Sequence, residues 1–279
     1  VHLKTTPAHS QNLPALAAVV LDLDGVLYLG KTPISGAQKT VTWLLGQGLK
    51  VYYLTNNSTQ TRANYVQRLN AMGIFCKKDM VYSSSYACAL YLQKQSKAMT
   101  TALVVGEGGL AGELTQAGIK VVRRLGDKKV DYVVVGMDRK INYAKIRDAQ
   151  QAILQGAKFI ASNRDPVYPN EHGVTPGGGT IVAAIQTASQ QKPLLIGKPS
   201  SFILKLLLNK EKLAPESVLL VGDRLDTDIA CGRRSGVWTA LVLTGVTTRR
   251  EADEAPARLK PHWILESIAD LPKLLGGSK

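Results

Sequence analysis

Long apolar runs are missing from this 279-residue sequence: none approaches the ~18 residues that a membrane-crossing helix needs, and no membrane partner is expected. Cysteine is scarce. Cys76, Cys88 and Cys231 are far apart and odd in number, so neither a Cys-x-x-Cys metal knuckle nor a disulfide framework is spelled out, and a reducing, cytoplasmic compartment is the default expectation. Position 1 is Val rather than Met, which leaves room for a removed upstream segment, although the first dozen residues carry no apolar signal-peptide stretch. Histidine numbers four, with His2 and His9 ahead of the first apolar run, which argues against an imidazole zinc site. Aromatic residues make up 6%, too few for base-stacking platforms, and acidic residues are outnumbered by Lys and Arg 21 to 35, a formal net charge of +14. The basic residues fall as scattered pairs (Lys77-Lys78, Arg123-Arg124, Lys128-Lys129, Arg233-Arg234, Arg249-Arg250) rather than the roughly 5–8-residue cluster of a nucleic-acid patch. The excess therefore reads as a solvated basic surface, compatible with phosphorylated substrates and with no nucleic acid expected.

What is present is an alternation. Six short apolar runs without period-two patterning each end abruptly in a polar or Gly residue: Ala18 to Leu21, Val51 to Leu54, Leu103 to Val105, Tyr132 to Val135, Leu194 to Ile196 and Val218 to Val221. Strands buried on both faces of a parallel sheet read this way. Helical patterns lie between them, at Arg62 to Met72, Tyr143 to Gln155, Ile181 to Ala188 and Phe202 to Leu208, so the expected fold class is α/β, a doubly wound, Rossmann-like parallel sheet.

Ligands bind such sheets outside the carboxyl ends of the strands. Four of those ends are chemically loaded: Asp22-Leu23-Asp24-Gly25, Thr55-Asn56-Asn57-Ser58, Gly197-Lys198-Pro199, and Gly222-Asp223 followed by Asp226 and Asp228. Asn56 and Lys198 are 142 positions apart, against about 30 residues for one βαβ unit, so a second α/β domain is inserted there. The expected division is a discontinuous core, 15–84 and 191–272, around an insert at 85–190. Residues 1–14, with two prolines and no periodicity, read as a loose lead-in and the Gly-Gly-Ser-Lys ending as frayed.

Two carboxylates two positions apart behind a buried strand raise each other's pKa, a cost that a bound cation or a proton-transfer role relieves. A calcium loop would put Gly at the sixth position and Glu at the twelfth; counted from Asp22 these are Leu27 and Pro33, so an EF-hand fails, and a plain Asp-rich turn is the competing reading. Taken together, the strand ends offer hard oxygen ligands (Asp22, Asp24, Asp223), a hydroxyl and amide pair (Thr55, Asn56) and one point cation (Lys198). That inventory suits a Mg²⁺-bound phosphoryl group.

These four motifs, in this order and with a large insertion between the second and third, resemble the haloacid dehalogenase superfamily, and within it the NagD and para-nitrophenylphosphatase group, whose cap domain occupies that insertion. The segment Asn163-Arg164-Asp165, followed by Pro176-Gly177-Gly178-Gly179 and an apolar helix, is similar to that group's cap. The resemblance runs from about Ala18 to about Leu243. It implies that Asp22 is the nucleophile, that Asp24 is the general acid and then base, and that Thr55 and Asn56 hold phosphoryl oxygens. It further implies that Lys198 balances charge, that Asp22, the Asp24 carbonyl and Asp223 hold Mg²⁺, and that Asp228 orients its neighbours from behind. Transport ATPases of the superfamily have Thr where Asp24 stands, and dehalogenases lack an acid there, so the resemblance implies hydrolysis of phosphate monoesters through an aspartyl phosphate. The leaving group stays open among nitrophenol, sugar, nucleoside, glycolate and pyridoxal types. Caps of this group often pair, which leaves a homodimer through the cap open.

Other readings compete. Val104-Val105 followed by Gly106-Glu107-Gly108 and Ala111 formally matches a dinucleotide fingerprint, with Arg123 and Arg124 near the place of the ribose-binding acid, which would make an NAD(P)-binding oxidoreductase; a tight turn is the simpler account. Gly177 to Gly179 lacks the Gly-Lys-Ser/Thr ending of a P-loop and reads as a helix start or hinge. His172 reads as an exposed loop residue. A catalytically silent binding protein on the same fold would predict damage to the acidic set, which is intact.

Overall fold

The computed structural model describes residues 15–95, 99–127, 129–170 and 173–277. The expectations for the lead-in at 1–14, for His172 and for the last two residues lie outside them.

Buried β-branched runs become the strands of two parallel sheets. The first contains Ala18–Leu21, Lys50–Thr55, Val81–Ser83, Val218–Gly222, Trp238–Val242 and Trp263–Leu265. Counted along the chain, these lie side by side in the order 6-5-4-1-2-3, so Ala18–Leu21 and Val218–Gly222 are neighbours, in register Val19 to Leu219, at the point where the winding reverses. Alternate residues serve opposite faces. Val19, Leu21, Tyr53 and Val221 pack on helices Ala37–Gly46 and Arg62–Ala71, while Val20, Leu54 and Leu220 pack on Ser84–Gln95 and Phe202–Glu211. Helices on both faces bear out the doubly wound α/β expectation. Thr61 starts the second of these helices by accepting from the Asn64 N–H. Phe202–Glu211 runs past the Leu208 expected from apolar pattern because the Glu211 carboxylate accepts from the phenols of Tyr52 and Tyr82, at 2.8 and 2.5 Å.

The second sheet contains Thr101–Val105, Lys120–Val122, Tyr132–Val135, Lys158–Ala161 and Leu194–Leu195. Leu194–Leu195 pairs with Ile160 and Ala161. This strand, read from sequence as part of the returning core, is an edge of the second sheet instead, and the chain crosses back through Ile196 to Lys198. The sheets are not independent. Helix Ser84–Gln95 is buried at Ala87, Cys88, Ala89 and Leu92, in one hydrophobic cluster with Val20 and Leu54 of the first sheet and with Val104 and Val134 of the second. The far face of the second sheet is covered by Tyr143–Leu154 and Gly178–Ser189 through Ala149, Ile153, Val182 and Ile185. Cys76, Cys88 and Cys231 are free and buried. No helix among the described residues is long and apolar enough to cross a membrane.

Candidate active site

The winding reversal leaves a crevice beyond Leu21 and Gly222, and the next residue of each strand, Asp22 and Asp223, stands in it, both buried. The loop after Asp22 must pass very close to Asp223. Gly25 makes this feasible with φ +81°, and a Cβ there would lie 2.5 Å from an Asp223 oxygen; at Gly245 the corresponding gap is 2.0 Å. Asp223 is held from the same side, its Oδ2 accepting from the Val246 N–H at 2.8 Å.

Lys198 reaches the crevice from the other side of the insertion. The residue is 2% exposed, and its ammonium donates to Asp22 Oδ1 at 2.8 Å and to Asp228 Oδ1 at 2.5 Å. Burial alone would lower the Lys198 pKa, but the two carboxylates outweigh it and push it up. Asp22 is pushed well up by burial, Lys198 opposing and Asp228 and Asp223 adding to the rise. Burial, with Asp228 adding to it, raises Asp223 to about 7. Asp24 is raised by burial, against Arg68 and Lys198. Asp228 has both oxygens engaged, one on Lys198 and the other accepting from the Arg224 N–H at 3.2 Å and from the Thr227 hydroxyl at 3.3 Å.

A cavity of about 400 Å³ opens above these groups, between the carboxyl ends of the two sheets. Thr55 lines it, its Oγ1 accepting from the Asn57 N–H at 3.1 Å. The structure thus brings together Asp22, Asp24, Thr55, Asn56, Lys198, Asp223 and, behind them, Asp228. Asn56 departs from expectation in one respect. One hydrogen of its amide nitrogen serves the Lys198 carbonyl (2.9 Å) and the other the Asp165 carboxylate (3.1 and 3.0 Å), so in this arrangement neither is left for a phosphoryl oxygen.

Two contributors escaped sequence reasoning. Asp165 was visible only as a letter of the cap motif, with no role attached. The Thr244 to Val246 loop, whose Thr244 hydroxyl donates to the Gly25 carbonyl at 2.6 Å, follows the strand Trp238–Val242, which was not among the runs singled out from sequence.

Comparison with known proteins agrees with this geometry. Residues 19–120 match a family model described as haloacid dehalogenase-like hydrolase, and residues 195–271 match a HAD-hydrolase-like model. An acid sugar phosphatase of Staphylococcus haemolyticus is 39% identical over 84% of this chain and 88% of its own length. The chain belongs to the haloacid dehalogenase-like hydrolases. Among solved structures, the p-nitrophenyl phosphatase from Archaeoglobus fulgidus superposes with TM-score 0.87 at 34% identity, covering 94% of this chain and 100% of that one. The glycerol phosphate phosphatase Rv1692 from Mycobacterium tuberculosis, solved in complex with magnesium, gives 0.84 at 30%, covering 92% and 76%.

The donor set of this hydrolase fits a divalent cation. Carboxylate oxygens of Asp22, Asp223 and Asp228 lie within 4.8 Å of one another, and Lys198 balances only part of their charge in a buried place. Hard oxygen donors carrying excess negative charge are what Mg²⁺ or Ca²⁺ takes.

The dinucleotide reading of Gly106 to Ala111 is overturned by packing. The Gly109 N–H donates to the Thr59 carbonyl at 3.1 Å, and a Cβ on Gly109 would lie 2.4 Å from the Gln60 nitrogen, so the helix start meets the first sheet's loop where a pyrophosphate would sit. Arg123 donates to the Gly106 carbonyl and Arg124 pairs with Asp148 at 3.0 Å. Gly177 and Gly179 are helix-start residues that let the backbone lie against Asp165 and Arg164, where each Cβ would come within 2.3 Å of a carbonyl oxygen.

Proposed function

We propose that the chain is a Mg²⁺-dependent phosphatase that hydrolyses small phosphate monoesters through an aspartyl phosphate on Asp22. The supporting observation is the buried Asp22–Lys198 pair at 2.8 Å at the foot of a cavity that Asp24 also lines. Lys198 opposes the burial that raises the Asp22 pKa and so favours the carboxylate form, whose oxygen attacks phosphorus. As the phosphorus–oxygen bond to the leaving group breaks, Asp24 gives its proton to the departing oxygen. It then takes a proton from the water whose oxygen attacks the phosphoenzyme, returning Asp22 and releasing inorganic phosphate. Asp22, Asp223 and the Asp24 carbonyl would hold the cation, which when bound neutralises charge on the phosphoryl oxygens. Thr55 would hold a phosphoryl oxygen. Asp228, with both oxygens committed, orients Lys198.

In this reading residues 15–84 and 191–272 form the catalytic core and 85–190 the cap, with Leu194–Leu195 belonging to the cap's sheet. Leu29, Met137, Val167 and Val246 supply apolar wall, and Asn57, Tyr168 and Asp165 supply polar groups, to a cavity sized for a small leaving group. The names of the relatives favour sugar and polyol phosphates. The test is phosphate release from para-nitrophenyl phosphate, glycerol phosphate and a hexose phosphate with Mg²⁺. Activity is expected to vanish with EDTA and in Asp22→Asn, which keeps side-chain size and loses the nucleophile. Near-normal turnover in a folded Asp22→Asn protein would refute the assignment.

A further inference from the structure

We propose that Asp165, carried by the loop after the second sheet's strand Lys158–Ala161, is a positioning residue for Lys198 and acts through Asn56. The inference rests on the phosphatase reading above. Lysine is a point charge on a flexible four-carbon stem, so its ammonium stays on Asp22 and Asp228 only if its backbone is fixed. Asn56 fixes it from both sides: its Oδ1 accepts from the Lys198 N–H at 2.8 Å and its Nδ2 donates to the Lys198 carbonyl at 2.9 Å. The second Nδ2 hydrogen is shared by the two Asp165 oxygens. The Asn56 carbonyl is tied down as well, accepting from the Ser84 hydroxyl at 2.6 Å and from Asn163 Nδ2 at 2.8 Å. Asn163 in turn receives the Asp165 N–H on its Oδ1 at 3.1 Å. One loop of the second sheet therefore grips both ends of Asn56, and Asn56 grips Lys198.

Asn56 is buried. Without the Asp165 carboxylate, one of its amide hydrogens loses its partner, and turning the amide to find another releases Lys198. The damage then falls on the phosphoryl end of the reaction, whatever the leaving group. A carboxylate that instead recognised the leaving group directly would produce a loss that varies with that group's hydroxyls.

The experiment compares kcat and KM of Asp165→Ala, Asp165→Asn, Asn56→Ala and the double variant Asn56→Ala/Asp165→Ala on para-nitrophenyl phosphate, glycerol phosphate and a hexose phosphate, with thermal melting as the control for folding. Asp165→Ala is expected to lower kcat about 10- to 100-fold, the scale of a slightly misplaced catalytic group, and by a similar factor on all three substrates. Asp165→Asn keeps an oxygen that accepts from Asn56 and is expected to recover most of that loss. The double variant is expected to be no worse than Asn56→Ala, because the two residues act in series. Should Asp165→Ala not fold, Asp165→Ser, whose hydroxyl stops short of Asn56, takes its place. An unimpaired Asp165→Ala, a loss confined to glycerol and hexose phosphates, or full additivity in the double variant would each overturn the proposal. Inactivity of the unaltered chain on every monoester would instead remove the phosphatase reading on which it rests.

Discussion

At Asp24 the requirement is a proton that leaves and returns, and burial, which raises its pKa, favours the protonated form that a departing oxygen needs. Asp24→Asn keeps the side chain's size and its backbone carbonyl but cannot cycle a proton. Its kcat is expected to fall on the order of 10²-fold or more, with KM moved much less. The loss is expected to be smallest for para-nitrophenyl phosphate, whose leaving group needs little protonation, and aspartyl phosphate should accumulate with that substrate. Acid quench followed by intact-protein mass measurement reads the adduct; an equal loss for good and poor leaving groups, with no adduct, would assign the proton to another residue. Asp223 makes a different prediction, because its pKa rises on folding from 3.8 to about 7. A raised acid binds its proton more tightly folded than unfolded, so its contribution to stability is fully present below pH 4 and is lost as pH climbs through 7. In metal-free buffer the Tm of Asp223→Asn, measured against the unaltered chain, is expected to gain steadily between pH 4 and 7. Adding Mg²⁺ should shrink that gain, since the cation rewards the ionised form. A Tm difference that is flat with pH would show that Asp223 ionises freely.

Between elements, one close backbone contact is made by a helix start. Gly109 opens Gly108–Gln116 with its would-be Cβ 2.4 to 2.5 Å from the backbone of Thr59 and Gln60, next to Ser58, whose hydroxyl accepts from the Met137 N–H at 3.1 Å. Backbone cannot yield as a side-chain tip does, so Gly109→Ala is expected to cost about 1–3 kcal/mol in urea unfolding and to lower kcat/KM by shifting the cavity's two walls apart. Gly108→Ala is the control: its Cβ meets nothing within 4 Å, and its change is expected to stay within about 0.5 kcal/mol. Equal effects from the two substitutions would mean that helix propensity, rather than the close approach, decides. The same crowding accounts for Gly177 and Gly179, where a run resembling a phosphate loop is spent on letting a helix lie against the Asp165 loop.

For the molecule as a whole, the second sheet has an apolar cluster of its own on its far face and shares another with the first sheet. Helix Ser84–Gln95 is buried in a cluster that contains residues of both sheets, so unfolding either sheet strips apolar surface from the other. Urea unfolding followed by far-ultraviolet circular dichroism and by tryptophan fluorescence is therefore expected to give coincident transitions. The tryptophans suit the purpose: Trp43, Trp238 and Trp263 all pack with the first sheet's cluster, while circular dichroism reports on both sheets. Separated midpoints would show that the shared helix does not couple them. This coupling also bears on catalysis, since the cavity is walled by both sheets and its lower wall is tied to the upper one through Asn56.

Much of this protein was legible in one dimension. Ala18–Leu21 and Tyr132–Val135 form where expected and Val218–Gly222 within one residue, because a strand buried on both faces must be a continuous apolar run, and such a run is a local pattern. Asp22, Asp24, Lys198 and Asp223 were identifiable for the same reason: each stands at or just past the end of such a run, and parallel sheets gather those ends at one edge. Short strands and edges were not legible. Val81–Ser83 and Trp263–Leu265 are too brief to show a pattern, and Leu194–Leu195 carries nothing that says which sheet it joins. Nor could sequence say that the Asn56 amide is spent on partners 109 and 142 positions away, or that Gly109 abuts Thr59 and not a pyrophosphate. Residue type and spacing determine which groups can bond and where strands end. Which of many equivalent partners a group meets is decided when two sheets, joined through a common core, bring their carboxyl ends face to face.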